Sequence, residues 1–288
     1  MWYRSWMFVP GNHPRRLTKA KELSADVIIY DLEDAVPPDE KERARRLVRE
    51  ALRHSPDRVQ FVRVNDPSTP YFVDDLAEVT GAGLSGIVLP KAAGRDSVLF
   101  ADSLLSRFEE RSGVPKGSTE IVPLVETAAG LYRAYEIASA GSRIRRMAFG
   151  SIDFALDIGA QLTKEGTEVL YARSRLVVVS RAAGIEPPID AVFADIRDSD
   201  GLLQEARLAK QLGFRGKMVI HPSQIDVVNR VFSPTPQEVE EAKKIARAFS
   251  EALETGSAAI RVDGKMVDLP VARRAKRILE QAKALGLI

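Results

Sequence analysis

The chain has 288 residues, 42 basic against 40 acidic side chains, a formal charge of +2 and no cysteine. A disulfide framework, a thiol nucleophile and a thiolate-held metal are thereby excluded, and so balanced a charge gives no field of the kind nucleic acid binding needs. The N-terminus lacks the long apolar stretch of a signal peptide and no apolar run reaches membrane-spanning length, so the expectation is a cytoplasmic protein that engages neither membrane nor nucleic acid.

Short β-rich runs alternate with longer helical patterns, the arrangement of βα units around a parallel sheet. The first run, 5–10, leads into Gly11 and a helix start on which Arg15 and Lys19 stand four apart, hence on one face, where phosphate is favoured. The second, 26–31, ends in Asp31-Leu32-Glu33-Asp34 ahead of a helical pattern over 38–54. The third, 59–64, carries Arg63 at its end, and the fourth, 86–90, precedes a helix over 95–112. The fifth, 120–125, runs into Glu126 and a helix over 127–140; the sixth, 146–150, runs into Asp153 ahead of another helix. After a helix over 168–183 come a seventh strand at 191–194, a helix over 201–212 and an eighth strand at 217–220 that meets His221. Eight such units predict a closed (β/α)8 TIM barrel over 1–232. Ser223 reads as the cap of a helix over 224–231, and Ser233-Pro234-Thr235-Pro236 as a linker. In the extension, 233–288, Val239, Ala242, Ala246, Phe249 and Leu253 share one helical face, followed by a β-like stretch about Gly264 and a basic helix from Val271. That apolar stripe must pack on its own barrel or on a neighbouring subunit.

In a parallel barrel all strands end at one mouth, so the polar groups that close these strands share a pocket. Glu126 and Asp153 are the candidate ligands for a hard divalent cation such as Mg²⁺, which takes oxygen ligands and is commonly held by two carboxylates with other positions open. Each alone would equally serve as an acid favouring a helix N-terminus. Asp31, Glu33 and Asp34 place three carboxylates within four residues, a repulsion that a cation would offset. Glu33 and Asp34 are expected to hold water around the ion rather than the ion itself, the alternative being an acidic lead into the next helix. Arg63 can hold a carboxylate or enolate oxygen through two parallel hydrogen bonds, or form a structural ion pair with one of these acids. A lone His221 is more often a turn or packing residue than a ligand.

The motifs Arg4-Ser5 with Phe8-Val9-Pro10-Gly11, Asp31-Leu32-Glu33-Asp34-Ala35-Val36 with Lys41, Arg63-Val64-Asn65, Leu89-Pro90-Lys91, Val125-Glu126-Thr127-Ala128, Phe149-Gly150 with Asp153, and Ile220-His221-Pro222-Ser223-Gln224-Ile225 run in order along nearly the whole chain. In them the sequence resembles the citrate lyase β-subunit-like group of acyl-CoA lyases, within the HpcH/HpaI aldolase superfamily. The resemblance implies a (β/α)8 barrel, Mg²⁺ on Glu126 and Asp153, Arg63 on the substrate, and Arg15, Lys19 and the Ile220-His221 segment along the acyl-CoA. It also implies that Asp268, in Met266-Val267-Asp268-Leu269-Pro270, reaches a neighbour's active site within a homotrimer. Without the resemblance, Asp268 is a turn acid before a helix led by Pro270. The expected reaction is Mg²⁺-dependent cleavage of a 3-hydroxy-acyl-CoA of the citramalyl-, malyl- or citryl-CoA kind to acetyl-CoA and a 2-oxo acid. The alternatives are the β subunit of a multi-subunit citrate lyase acting on a carrier-protein thioester, and a non-catalytic regulatory barrel.

Overall fold

Eight runs of largely buried residues form strands β1 (Ser5–Pro10), β2 (Val27–Asp31), β3 (Gln60–Arg63), β4 (Gly86–Leu89), β5 (Glu120–Val125), β6 (Ala148–Phe149), β7 (Ile189–Asp190) and β8 (Gly216–Val219) in the computed structural model. It describes residues 2–254 and 256–288, so Met1 of the expected barrel segment and Thr255 of the expected extension lie outside the described residues. All eight strands pair in parallel in chain order, and β1 closes the barrel on β8. Side chains alternate across a strand, so one set from each fills the interior. Trp6, Ile29, Phe61, Val88, Leu124, Ala148, Ile189 and Met218 form that core. β2 reads apolar on both faces because helices cover the outside of a parallel barrel.

Around the strands lie α1 (Pro14–Ala20), α2 (Lys41–Arg53), α3 (Phe72–Val79), α4 (Arg95–Ser112), α5 (Ala128–Tyr132), α6 (Ala134–Ala138), α7 (Ser151–Asp157), α8 (Thr167–Ala182) and α9 (Ser199–Leu212). Next come α10 (Ile225–Phe232), α11 (Pro236–Glu254), an antiparallel hairpin of β9 (Ile260–Val262) and β10 (Lys265–Val267), and α12 (Leu269–Ala284). The chain forms two compact units, Tyr3–Asn229 and Arg230–Ile288 with Trp2, the boundary falling inside α10. The C-terminal unit has its own small core of Phe249, Val267 and Ala272, with Ile245, Ile260, Val262 and Val271 packed against it. No helix of the described residues is long and apolar enough to cross a membrane.

Several sequence expectations shift. The seventh strand is Ile189–Asp190, not the apolar run 191–194. Asp190 enters the sheet although charged because its carboxylate meets Arg173 Nε at 2.8 Å and Lys217 Nζ at 2.7 Å in a fully buried cluster. The helix over 127–140 is broken at Arg133 into α5 and α6, and Leu253 is exposed where Ala252 takes the buried position. Asp153 does not precede a helix but stands in the first turn of α7. His221, not Ser223, caps the turn that leads into α10: its side chain accepts from the Ser223 N–H, and the Gln224 side chain accepts in return from the His221 N–H.

Candidate active site

The ends of β1, β2, β3, β5, β6 and β8 surround a cavity of about 460 Å³ in the barrel unit. Its floor is the top of the barrel core: Leu124 and Met218 belong to that core, and Phe8 and Val192 pack against it. Its walls are charged, with Asp31, Asp34, Arg63, Glu126 and Asp153 among the lining residues.

Strand register sets Asp31 of β2 beside Arg63 of β3. The Asp31 carboxylate is 2 % exposed and fully used. Oδ1 accepts from the Glu33 N–H at 2.9 Å and Arg63 Nε at 2.8 Å, and Oδ2 accepts from the Ala35 N–H at 3.2 Å and Arg63 Nη2 at 2.7 Å. One side chain thus closes the turn after β2 and grips the guanidinium by its fork. The structural ion pair therefore exists, and it leaves the other edge of Arg63 for further contacts. Nη1 lies 3.0 Å from Glu33 Oε2 and 3.2 Å from Asp34 Oδ2, and the guanidinium sits 4.9 Å over the Phe8 ring. Burial works against the Arg63 charge, but the three carboxylates outweigh it and hold its pKa above the ordinary value.

Glu126 follows β5 and is 3 % exposed. Its Oε1 accepts from the Lys91 N–H at 2.7 Å, and Lys91 occupies the left-handed region at φ 48°, uncommon for a residue with a Cβ. Gly150, after β6, leaves the room Glu126 needs, since a Cβ there would stand 2.6 Å from Oε2. Burial drives the Glu126 pKa up to about 8, against the Lys91 N–H and helped by Glu33 and Asp153. Burial likewise raises Glu33 to about 7, with Arg63 opposing and Asp34 and Asp31 adding to the rise. Lys91 Nζ lies 3.6 Å from Glu33 Oε1.

Carboxylates pushed up by burial and by one another are groups that a cation would restore to the ionised state. The donors are all oxygen, which suits a hard divalent ion. Among the described residues no three or more His, Cys, Asp or Glu side chains gather into a ready-made metal cage. Glu126 and Asp153 would then supply two ligands and leave the remaining positions to water and substrate.

Of the residues singled out in the sequence, Arg63, Glu126, Asp153, Asp34 and Ile220 line one cavity, and Glu33 stands against Arg63. Arg15 and Lys19 are exposed on α1 and do not line it; Arg16 of the same helix does. His221 is turned to Ser223, its Nδ1 lying 2.8 Å from Oγ. Asp268 belongs to the C-terminal unit, where its carboxylate caps α12 by accepting from the Val271 N–H at 3.2 Å. Sequence reading left open an ion pair between Arg63 and one of the neighbouring acids without singling one out, and it is Asp31 that grips the fork. It carried Lys91 only within the Leu89-Pro90-Lys91 motif and gave it no role, because its contact with Glu126 is made by the backbone and leaves no side-chain signal.

Residues 4–222 match the family model described as HpcH/HpaI aldolase/citrate lyase, and residues 167–287 match that of a C-C bond lyase of the TIM-barrel fold. Citrate lyase subunit beta of Leuconostoc mesenteroides subsp. cremoris is 39% identical over 289 residues, covering 99% of this chain and 95% of that one. Mitochondrial citramalyl-CoA lyase of Rattus norvegicus is 32% identical over 295 residues, covering 98% and 86%. Among solved structures, protein CitE from Mycobacterium tuberculosis in complex with magnesium, acetoacetate and coenzyme A matches with a TM-score of 0.80 at 32% identity, over 98% of both chains.

Proposed function

Because the chain belongs to the HpcH/HpaI aldolase/citrate lyase family and is a carbon–carbon lyase, we propose that it cleaves a 3-hydroxy-acyl-CoA to acetyl-CoA and a 2-oxo acid with Mg²⁺. The observation that carries this reading is the meeting of Glu126, Asp153 and an anchored Arg63 on one cavity above an apolar floor. In the cleavage direction the substrate hydroxyl passes its proton to water as the C–C bond breaks, giving a carbonyl and an acetyl-CoA enolate whose carbon is then protonated, so negative charge develops on oxygen. Mg²⁺ held by Glu126 and Asp153 supplies the Lewis acid that orients the oxo-acid oxygens and offsets this charge. Glu33 and Asp34 hold water around the ion. With Asp31 keeping its fork in place, Arg63 offers the Nη1 edge that Glu33 and Asp34 face here to anionic oxygen of the oxo-acid or enolate portion. Leu124, Met218, Phe8 and Val192 receive the hydrocarbon part of the oxo acid.

In this reading Arg15 and Lys19, exposed on α1, bind the CoA phosphates, and Ile220 and His221 lie along the same arm of the thioester. Residues 1–232 act as the catalytic barrel of a homotrimer, and 233–288 pack on a neighbour, presenting Asp268 as the acid that protonates the acetyl methyl carbon in cleavage. The coenzyme A, acetoacetate and magnesium in the Mycobacterium tuberculosis structure support the CoA thioester. The 39% identity to a citrate lyase subunit supports a second reading, a subunit that acts on a carrier-protein thioester. Cleavage of CoA thioesters by the chain alone separates the two. To test the metal assignment, Mg²⁺ is titrated into Glu126→Gln and Asp153→Asn while cleavage is followed. Both variants should need far more Mg²⁺, and a wild-type requirement in either removes that residue from the ion.

A further inference from the structure

Lys41, the first residue of α2, is 7 % exposed beneath the turn that carries Asp31, Glu33 and Asp34. A cation is ill placed there on two counts: a helix N-terminus disfavours positive charge, and burial lowers the ammonium's pKa against the pull of Asp75, Asp31, Glu33 and Asp34. Its contacts say what offsets this. Nζ donates to the carbonyl oxygens of Leu32 and Glu33, each at 2.7 Å, and lies 5.6 Å from the Tyr71 ring centroid. The Leu32 carbonyl takes a second donor, Asn65 Nδ2 at 2.9 Å. Asn65 is itself fixed by Asp75, whose Oδ2 accepts from the Asn65 N–H at 2.8 Å and Nδ2 at 2.6 Å while Oδ1 accepts from Arg45 Nε at 2.7 Å. Lys41, Asn65, Asp75 and Arg45 are all buried, and none of them lines the cavity.

The two clamped peptide groups belong to the residues that link Asp31 to Asp34. Asp31 holds the fork of Arg63 from one side, and Glu33 and Asp34 pair with its Nη1 from the other. A rotation of the Leu32 or Glu33 peptide would therefore move the carboxylates that set the position and charge balance of Arg63. We propose that Lys41 is a positioning residue for the lyase reaction: seated on the Leu32 and Glu33 carbonyls and supported by Asn65, it locks the acidic turn against Arg63. This rests on the reading of the cavity given above.

The test is Lys41→Met, which keeps length and apolar stem while removing the donor, alone and combined with Arg63→Lys. In the single variant kcat should fall at least tenfold, the Mg²⁺ concentration for half-maximal cleavage should rise severalfold, and KM for the thioester should change less than twofold. Because Lys41 acts through Arg63, the same change in the Arg63→Lys background should cost less than threefold in kcat. Lowered Tm with unchanged kcat and Mg²⁺ requirement would make Lys41 merely structural, and an equal loss in both backgrounds would show that it does not work through Arg63; either overturns the proposal. If Lys41→Met does not fold, Asn65→Leu removes the second donor to Leu32 and must show the same kinetic pattern, normal kinetics in that variant being equally fatal. A wild-type protein that cleaves no thioester sinks the underlying reading and this proposal with it, whereas an active wild type with an unaffected variant sinks the proposal alone.

Discussion

Asp31→Asn isolates the anchor of Arg63 with a change of one atom. The wild-type carboxylate accepts four hydrogen bonds, two from Arg63 and two from backbone N–H groups of its own turn. An amide can accept on one side only, and its NH₂ turns donors against two of the four donors. One bond to a charged group and one to a neutral group are lost, worth about 1.5–3 and about 1 kcal/mol, so destabilisation should be about 3 kcal/mol. That stands at the lower end of breaking a buried pair, about 3–5 kcal/mol, because Glu33 and Asp34 still face Nη1. Freed from its fork, Arg63 shifts toward these two acids, and kcat/KM should fall at least about tenfold. Urea unfolding at constant m-value reads the first effect and thioester cleavage the second. Asp34→Asn is the control: its carboxylate is 64% exposed, and its loss should cost less than about 1 kcal/mol. An Asp31→Asn protein as stable as that control, with near-normal kcat/KM, would refute the anchoring role.

Gly150→Ala places a methyl group 2.6 Å from Glu126 Oε2, so Glu126 must move; about 1–3 kcal/mol of stability should be lost, together with a weaker Mg²⁺ affinity by calorimetry. The pKa of about 8 for Glu126 lies above the ordinary carboxyl value of 4.5, so the metal-free folded state holds the extra proton between these two values. This contribution to stability is complete below 4.5 and is lost as pH rises through 8. Mg²⁺ affinity should run the opposite way, rising toward pH 8 with proton release, which calorimetry in buffers of different ionisation enthalpy detects. Asp268→Asn and Arg63→Ala proteins should each be inactive and should regain activity when their subunits are exchanged; no recovery, with exchange demonstrated independently, would count against catalysis across the interface.

Strands and the acids at their ends were legible because burial on both faces makes β2, β4 and β5 read as unbroken apolar runs that stop at polar groups. The same rule misplaced the seventh strand. It favoured Ala191-Val192-Phe193-Ala194, whereas Val192 leaves the sheet to line the cavity and the Phe193 carbonyl accepts from Gln224. It also passed over Asp190, whose partners lie 17 and 27 residues away in the chain. At the site, the types of Glu126, Asp153 and Arg63 could be read, but the pairing of Arg63 with Asp31 is a matter of register between neighbouring strands. That α1 turns Arg16 rather than Arg15 to the cavity is set by how the helix packs on β1, and one residue of rotation exchanges them. The helix α3 went unrecognised because Asp74 and Asp75 interrupt its apolar face, and Asp75 is buried only because Asn65 and Arg45 satisfy it.

The most direct measurement is the product balance when the purified chain is given citramalyl-, malyl- or citryl-CoA, each with Mg²⁺ and again after chelation. Acetyl-CoA and the matching 2-oxo acid should appear in equal amounts from at least one thioester, without added proteins, and should vanish with the chelator. Release of free CoA without acetyl-CoA, or no turnover of any of the three, would contradict the account.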